Sequence, residues 1–344
     1  MTGADRQWQL NRRNFEGRWC GESRWYLRRD DGAGALDLTA PGRVIAETCY
    51  AIRFFDEDSG EWDGSGLLFA PGGRRRLPLS RGTYNRGGQC WQFEGAGGQS
   101  SLRVDPGEPR WGHEINLFHG RSRSMLVLLW GRRDAPGSAV GSHGADAGGV
   151  DGGPGVENRS GDPEGRPDGS SGDGPDGGGG PDRPERPGSG AGSAGMPSGD
   201  ASGGGASGDQ RWRLDAVGAV AFRCSLGERP DPPRPAPTDA RTLLEAVRGW
   251  PGRLETLVPG DRPAEHPWAQ SCEPFAPEAF AAHPLTAAFA DGLVCSVPEW
   301  LPAGPFRLEV GCRTAPDAFQ QLSLHIDANG ELSRWERRLF RAPA

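Results

Sequence analysis

The stretch that most constrains the fold of this chain runs from residue 14 to residue 27 and reads NFEGRWCGESRWYL. Bulky and polar residues alternate on either side of the Trp-Cys-Gly motif at 19–21, which is typical of a β-strand with one buried face. Gly21 lets that strand bend sharply. We therefore expect the first strand of an antiparallel barrel, with Trp19 closing one end. Apolar residues upstream predict a short amphipathic helix leading into it: Trp8, Leu10 and Phe15.

Glycine is concentrated in one internal segment. Residues 134–210 hold 26 of the 56 Gly, 13 acidic residues and four Arg, and they contain no Leu, Ile, Phe, Tyr, Trp or Cys. Such a segment cannot bury enough apolar surface to offset its ordering entropy, so we predict a disordered acidic insert. Its charge of −9 leaves 35 basic and 33 acidic residues in the remainder. The remainder therefore lacks the basic excess of a nucleic-acid-binding domain.

The rest of the N-terminal half, residues 1–133, consists of alternating segments separated by short polar turns. Residues 43–55 place an apolar side chain at every second position, and residues 122–130 are the most apolar of the half. We predict that 211–224 pairs with 122–130, which places the insert at a hairpin tip. About eight antiparallel strands with next-neighbour connections predict an up-and-down barrel over 1–133 plus 211–229. A β-sandwich is the alternative architecture.

The C-terminal half repeats this order on a smaller scale. A Pro-rich linker at 230–237 precedes a predicted helix at 241–248, a Trp-Pro-Gly motif at 250–252 and a strand. The sequence therefore predicts a second, smaller β domain over 238–344 that begins with a helix and repeats the first domain incompletely. Further strands are predicted at 289–297, 306–312, 320–327 and 332–340.

Two motifs carry a family resemblance. The first is Asn-x-x-Gly-x-Trp-x-Gly at 14–21, and the second is WGHEINLF at 111–118, followed by GRSR at 120–123. Together they resemble a cyanobacterial calycin (lipocalin-like) family of unknown function, domain of unknown function 3598, which is related by fold to the lipocalin-like bilin lyases. The resemblance implies a calycin barrel with an apolar cavity, a photosynthetic context, and a bilin or another elongated apolar ligand.

In lipocalins an Arg from a late strand lies across the Trp of the first strand. Carried over to this chain, the resemblance implies that Trp19 is covered in this way, through a cation–π contact. Three arginines are candidates for that role: Arg121, Arg123 and Arg223.

Candidate ligand-binding residues are the aromatic and polar side chains that the strands could direct inward. His113 and Glu114 are adjacent in a strand and face opposite sides, so either Glu114 with Asn116 or His113 points into the cavity. A carboxylate could accept pyrrole N–H groups, while an Arg could pair with propionates. Glu114 is the best candidate for a catalytic acid, although it could simply satisfy a barrel Arg or backbone donors. The candidate set is Trp25, Tyr50, Phe54, Trp62, Phe69, Trp91, Glu114, Asn116 and Arg123.

The pattern of cysteines and the hydropathy of the sequence predict the cellular compartment. The seven Cys show no Cys-x-x-Cys pair and no spacing with His that would build a zinc site, so we predict no metal. Their odd number and scatter predict a reducing compartment. The polar N-terminus and the short longest apolar run, 125–130, predict a cytoplasmic protein without a transmembrane segment.

Three functions remain open at this point. The first is a non-catalytic carrier of a small apolar or tetrapyrrole-like molecule. The second is a bilin lyase or chromophore chaperone, whose partner would be a phycobiliprotein or another photosynthetic protein. The third is an assembly scaffold whose barrel is filled by its own side chains.

Overall fold

The computed structural model describes most of the chain outside the predicted insert, and all described residues belong to one compact unit. The predicted disordered insert at 134–210 lies outside the described residues. The described ranges are 3–28, 36–66, 76–133, 211–226, 232–237, 239–260 and 270–343.

Within the described part of the N-terminal half, nine strands form one antiparallel sheet in the order β4-β3-β2-β1-β9-β8-β7-β6-β5. Each strand neighbours its successor in sequence, except that β4 and β5 are the two edges. The first strand pairs with both the second and the last. The sheet curls into a half-barrel, which we call the ring, and its seam lies between the unpaired edge strands β4 and β5. The elements are α1 (Gly3–Phe15), β1 (Gly17–Leu27), β2 (Arg43–Phe54), β3 (Ser59–Asp63), β4 (Arg76–Ser80), β5 (Cys90–Phe93), β6 (Ala96–Ser100), β7 (Arg110–His119), β8 (Ser122–Arg133) and β9 (Arg211–Cys224).

The C-terminal half follows the same plan with fewer strands. Its described residues form a seven-stranded antiparallel sheet in the order β11-β10-β16-β15-β14-β13-β12. Its first strand pairs with its last, and the sheet edges are β11 and β12. The predicted all-β fold, an up-and-down antiparallel sheet followed by a smaller β-rich half, is confirmed. The elements are α2 (Ala240–Glu245), β10 (Gly252–Leu257), β11 (Gln270–Cys272), β12 (Leu285–Ala288), β13 (Leu293–Val297), β14 (Phe306–Ala315), β15 (Ala318–Ile326) and β16 (Leu332–Arg341).

Helix α1 bridges the seam of the first sheet. On one side, Gln7 exchanges two hydrogen bonds with the backbone of Gln92 on β5, at 2.9 and 2.7 Å. The buried amide of Asn14 donates to a second β5 carbonyl at 2.8 Å. On the other side, the indole of Trp8 donates to the carbonyl of Glu57, in the turn between β2 and β3, at 2.6 Å. The helix therefore holds together two parts of the sheet that lack direct strand pairing. Among the described residues, no helix is long and apolar enough to cross a membrane.

The middle strands of the first sheet are buried on both faces, as their unbroken apolar character requires. Odd-numbered residues of β8 face the concave side of the sheet, which we call the lumen, and even-numbered residues face the second sheet. Between the two sheets lies a continuous apolar layer, which we call the inter-sheet core. Large contributors to this core are Leu126, Leu128 and Trp130 from the first sheet and Leu293, Leu322 and Trp335 from the second.

Two carboxylates of the C-terminal half hold the sheets together at polar points. Asp291 accepts from Arg223 at 2.7 Å and from Ser124 at 2.6 Å. Burial acts to raise the pKa of Asp291, but these hydrogen bonds outweigh it and leave the pKa below its usual value. Glu299 accepts from Arg213 at 2.8 Å. Arg223 is thus engaged with Asp291, which gives it a role that the sequence did not predict.

A disulfide joins Cys20 on β1 to Cys49 on β2. The two residues are 29 positions apart in sequence and become direct partners only through the register of the two strands. The spacing of the cysteines along the sequence therefore does not indicate this disulfide.

Trp19 occupies the position that the sequence predicts for it, fully buried at the α1 end of the ring. Its indole donates to the carbonyl of Phe15, at the end of α1, at 2.8 Å. The central guanidinium carbons of Arg121 and Arg123 lie 5.5 and 5.9 Å from the Trp19 ring centroid. Two of the three candidate arginines therefore share the contact with Trp19.

We expect Trp19→Ala to lower the free energy of unfolding by about 3–5 kcal/mol, because it empties a closed site between the helix and the sheet. Urea denaturation would measure this loss. The matched control is Trp300→Ala, since Trp300 is only partly buried and makes cation–π contacts with Arg211 and Arg213. Equal losses for the two variants would contradict the role of Trp19 as a buried plug.

Candidate functional site

The lumen of the first sheet has one apolar wall and one polar wall. Side chains at paired positions of neighbouring strands lie on the same face, so the register places each of them. The apolar wall is formed by β1, β8 and β9 and includes Trp25, Met125, Val127, Leu129, Val220 and Phe222. The polar wall is formed mainly by β5 to β8 and includes Cys90, Gln99, Glu114, Asn116 and Arg123.

The orientation of β7 decides between the alternatives left open by its sequence. Glu114 and Asn116 lie on the lumen face, where Asn116 donates to the Glu114 carboxylate at 3.0 Å. His113 lies on the opposite face, in the inter-sheet core, and its ring centroid is 4.4 Å from that of Trp111.

Arg123 is the centre of the lumen site. Its side chain is 2% exposed, and it donates from Nε to Asn116 at 2.7 Å and from Nη2 to Glu114 at 3.4 Å. Burial holds the pKa of Arg123 well below its usual value. Five aromatic rings of the described residues lie 4.9–5.9 Å from its central carbon and compensate part of the lost hydration through cation–π contacts: Phe15, Trp19, Tyr50, Phe118 and Phe222.

Two buried polar atoms of this cluster are unsatisfied. Within the part of the chain that the structure describes, neither Nη1 of Arg123 nor the hydroxyl of Tyr50 has a hydrogen-bond partner. The Arg123 guanidinium lies 4.9 Å from the centroid of the Tyr50 ring, so both belong to one small region of the lumen. Buried groups of this kind are usually paired with protein, water or ligand.

Glu114 and Cys90 are two further titratable groups of the polar wall. The side chain of Glu114 keeps 25% exposure, and burial raises its pKa above the usual value for a carboxyl group. Burial, with the Glu114 charge as a smaller cause, raises the pKa of Cys90 to about 12. Cys90 is therefore a neutral thiol near neutral pH and a weak nucleophile.

Seven of the nine candidate residues face the lumen or its rim. Trp25, Tyr50, Glu114, Asn116 and Arg123 form the interior, and Trp62 packs partly buried against it. Phe54 also contacts the lumen cluster, but its ring packs on Trp8 of α1 at 5.2 Å, near the seam. Phe69 lies outside the described residues.

Trp91 lies on the other face of β5. It is fully buried in the inter-sheet core, where its indole donates to Ser100 at 3.1 Å and its ring centroid is 6.0 Å from that of Trp335. The alternation in a four-residue strand does not indicate which face is the lumen. The position facing the lumen is the neighbouring Gln92.

Residues of the polar wall that the sequence interpretation missed are Cys90 and Gln99. Gln99 pairs with Glu114 and with Cys90 across the two short hairpins of β5, β6 and β7. The Gly95 turn could have indicated this register, because it fixes which residues of β5 and β6 oppose each other.

Comparison with known proteins supports the fold. No protein-family model matches the chain, and no curated protein matches it significantly in sequence. The crystal structure of a protein of unknown function from the DUF3598 family of Nostoc punctiforme is similar, with a TM-score of 0.51 and 13% identity over 98% of this chain and 99% of that chain. This similarity shows a shared fold, in agreement with the family that the two sequence motifs resemble.

His113 provides a test of how the two sheets pack. Its ring is fully buried, and neither ring nitrogen has a hydrogen-bond partner among the described residues. Desolvation lowers the pKa of His113 to about 3, so the folded protein keeps this imidazole neutral over the range in which an unfolded His binds a proton.

The resulting stability is fully present above the unfolded pKa of about 6.5 and is lost as the pH falls towards the folded value. Between pH 6.5 and 4.5 we expect wild type to lose about 2 kcal/mol more unfolding free energy than His113→Phe. Urea denaturation at several pH values would measure this difference. His119→Phe is the control, because His119 is exposed at the end of β7; the prediction is wrong if His113→Phe and wild type show parallel pH profiles.

Proposed function

We propose that this protein is a non-catalytic carrier whose lumen binds an elongated apolar molecule bearing a carboxylate. The observation that carries the proposal is the pair of unsatisfied donors, Nη1 of Arg123 and the hydroxyl of Tyr50. Leaving a buried donor without a partner costs about 1–3 kcal/mol. A ligand carboxylate could accept from both groups, and a charge-assisted hydrogen bond from a guanidinium is among the stronger kinds.

The side chains that line the lumen suit the remaining parts of the proposed ligand. The wall formed by β1, β8 and β9 offers Trp25, Val127 and Phe222 to an apolar body. The opposite wall offers the Glu114 carboxylate, which could accept N–H groups. A bilin combines these features, since it has propionates for Arg123 and pyrrole N–H groups for Glu114. A fatty acid would use the same Arg123 and Tyr50 donors without engaging Glu114.

The bilin-lyase alternative asks more of Glu114. It requires a general acid beside the reacting vinyl group, and the raised pKa of Glu114 suits that role. However, Oε1 of Glu114 accepts from both Asn116 and Arg123, which indicates a carboxylate positioned to accept hydrogen bonds. The carrier therefore remains the proposal that the geometry favours.

Tyr50→Phe is the sharpest test of the ligand headgroup, because it removes a hydroxyl that no described residue uses. We expect unfolding free energy to be unchanged or higher, while affinity for a long-chain fatty acid or biliverdin falls about three- to tenfold through loss of one hydrogen bond. Fluorescence titration would measure the affinities. The matched control ligand is the fatty alcohol of equal length, whose affinity should change much less. Equal weakening for acid and alcohol would contradict recognition of the carboxylate.

The identity of the ligand is tested on protein purified from a pigment-producing host. Native mass spectrometry together with an absorption spectrum should show one bound coloured or apolar molecule per chain. A protein that is empty and also fails to take up bilins, carotenoids and fatty acids would contradict the carrier and favour the scaffold.

A further inference from the structure

A cavity lies outside the lumen, at the end of the inter-sheet core near the turn between β7 and β8. It has a volume of about 390 Å³ and opens to solvent. Elements of both halves contribute to it, which distinguishes it from the lumen of the first sheet. We call it the arginine cleft after its charged lining, which consists of Arg13, Glu94, Arg253, Glu255, Arg337 and Arg341.

Strand register explains why these charges collect there. Glu255 on β10 pairs directly with Arg337 on β16, so both project from the same face of the second sheet. Farther along that face, Leu257 and Trp335 enter the inter-sheet core. The face is therefore apolar where the sheets touch and becomes charged where they separate, which leaves a polar cleft at the mouth of an apolar layer.

The charges of the cleft do not balance. Its lining contains four arginines and two glutamates. Each glutamate is already paired, Glu94 with Arg13 at 2.8 Å and Glu255 with Arg337 at 2.5 Å. Arg253 makes no ion pair and no side-chain hydrogen bond with any described residue. Arg341 is paired with Asp317, just outside the lining, at 3.6 Å. The cleft thus has a formal excess of one positive charge, and Arg253 is its exposed guanidinium without a described partner.

Arg337 is a buried and oriented part of this site. It is 6% exposed, and its Nε donates to Gln320 at 3.0 Å while Nη1 donates to Glu255. Gln320 is itself fixed by donating to the carbonyl of Phe118 at 3.0 Å. The remaining nitrogen, Nη2, donates to none of the described residues and lies beside Gly95, where the missing side chain leaves it open to the cleft. Burying a guanidinium is costly, so a fixed one with a free donor is a preorganised anion contact.

We propose that the arginine cleft binds a small phosphate-bearing molecule through Arg253 and Nη2 of Arg337. A phosphate monoester is anionic near neutral pH, which suits the positive excess of the cleft, and a guanidinium can donate two parallel hydrogen bonds to two phosphate oxygens. The cleft volume is within the usual range for small-molecule sites and suits a compact organic phosphate. This site is independent of the carboxylate proposed for the lumen.

Arg253→Gln tests the proposal without disturbing the fold, because the side chain is exposed and has no described partner. Isothermal titration with glycerol 3-phosphate at low ionic strength should show binding to wild type at unit stoichiometry, weakened about tenfold in Arg253→Gln. Arg43→Gln is the matched control, since it removes the same charge from an exposed strand position away from the cleft. Thermal denaturation should show that both variants fold like wild type.

Two results would overturn the proposal. One is no binding of glycerol 3-phosphate to wild type together with no preference for phosphatidic-acid vesicles over phosphatidylcholine vesicles. The other is equal weakening by Arg43→Gln and Arg253→Gln, which would indicate general charge attraction. Vesicle binding that depends on Arg253, without binding of the soluble ester, would support the same phosphate contacts with a lipid headgroup as the source.

Discussion

Pairing between the first and last strands of each half is the contact on which the rest of the structure depends. In the N-terminal half it joins β1 to β9, whose sequences are separated by almost the whole half and by the insert. Without this pairing the sheet would have no lumen, because its strands would divide into two separate meanders, β1 to β4 and β5 to β9. The same pairing of β10 with β16 organises the C-terminal half. The seam of the first sheet therefore lies between β4 and β5, and α1 bridges it.

The middle strands of the first sheet are buried on both faces, so each strand presents side chains to two different environments. One face of β7 presents Glu114 and Asn116 to the lumen, and the other presents His113 to the inter-sheet core. On the lumen face, Arg123 donates hydrogen bonds to Asn116 and Glu114. On the other face, the ring nitrogens of His113 have no hydrogen-bond partner among the described residues. Desolvation nevertheless acts on both residues in the same way, because it favours the neutral form: it raises the pKa of Glu114, an acid, and lowers the pKa of His113, a base.

Much of the sheet could be predicted from local pattern, and most of the site could not. The alternation in 43–55 and 211–224 indicates strands, and the pairing of 211–224 with the strand ending at 133 follows from chain continuity around the insert. By contrast, the face occupied by Trp91 depends on the register of two short hairpins. The contact of Asp291 with Arg223, and the arginine cleft, depend on how two sheets pack, which no periodicity within either sheet encodes.

The register of β8 with β9 has a consequence for how this protein could change over evolutionary time. Arg133, where β8 ends, pairs directly with Arg211, where β9 begins. The two ends of the intervening segment are therefore already neighbours, held by strands that pair along their whole length. Such a junction can gain or lose length without any adjustment of the ring, since closure cost rises only slowly with loop length. It is a suitable insertion site, at which sequence could be added, shortened or replaced by a reporter domain.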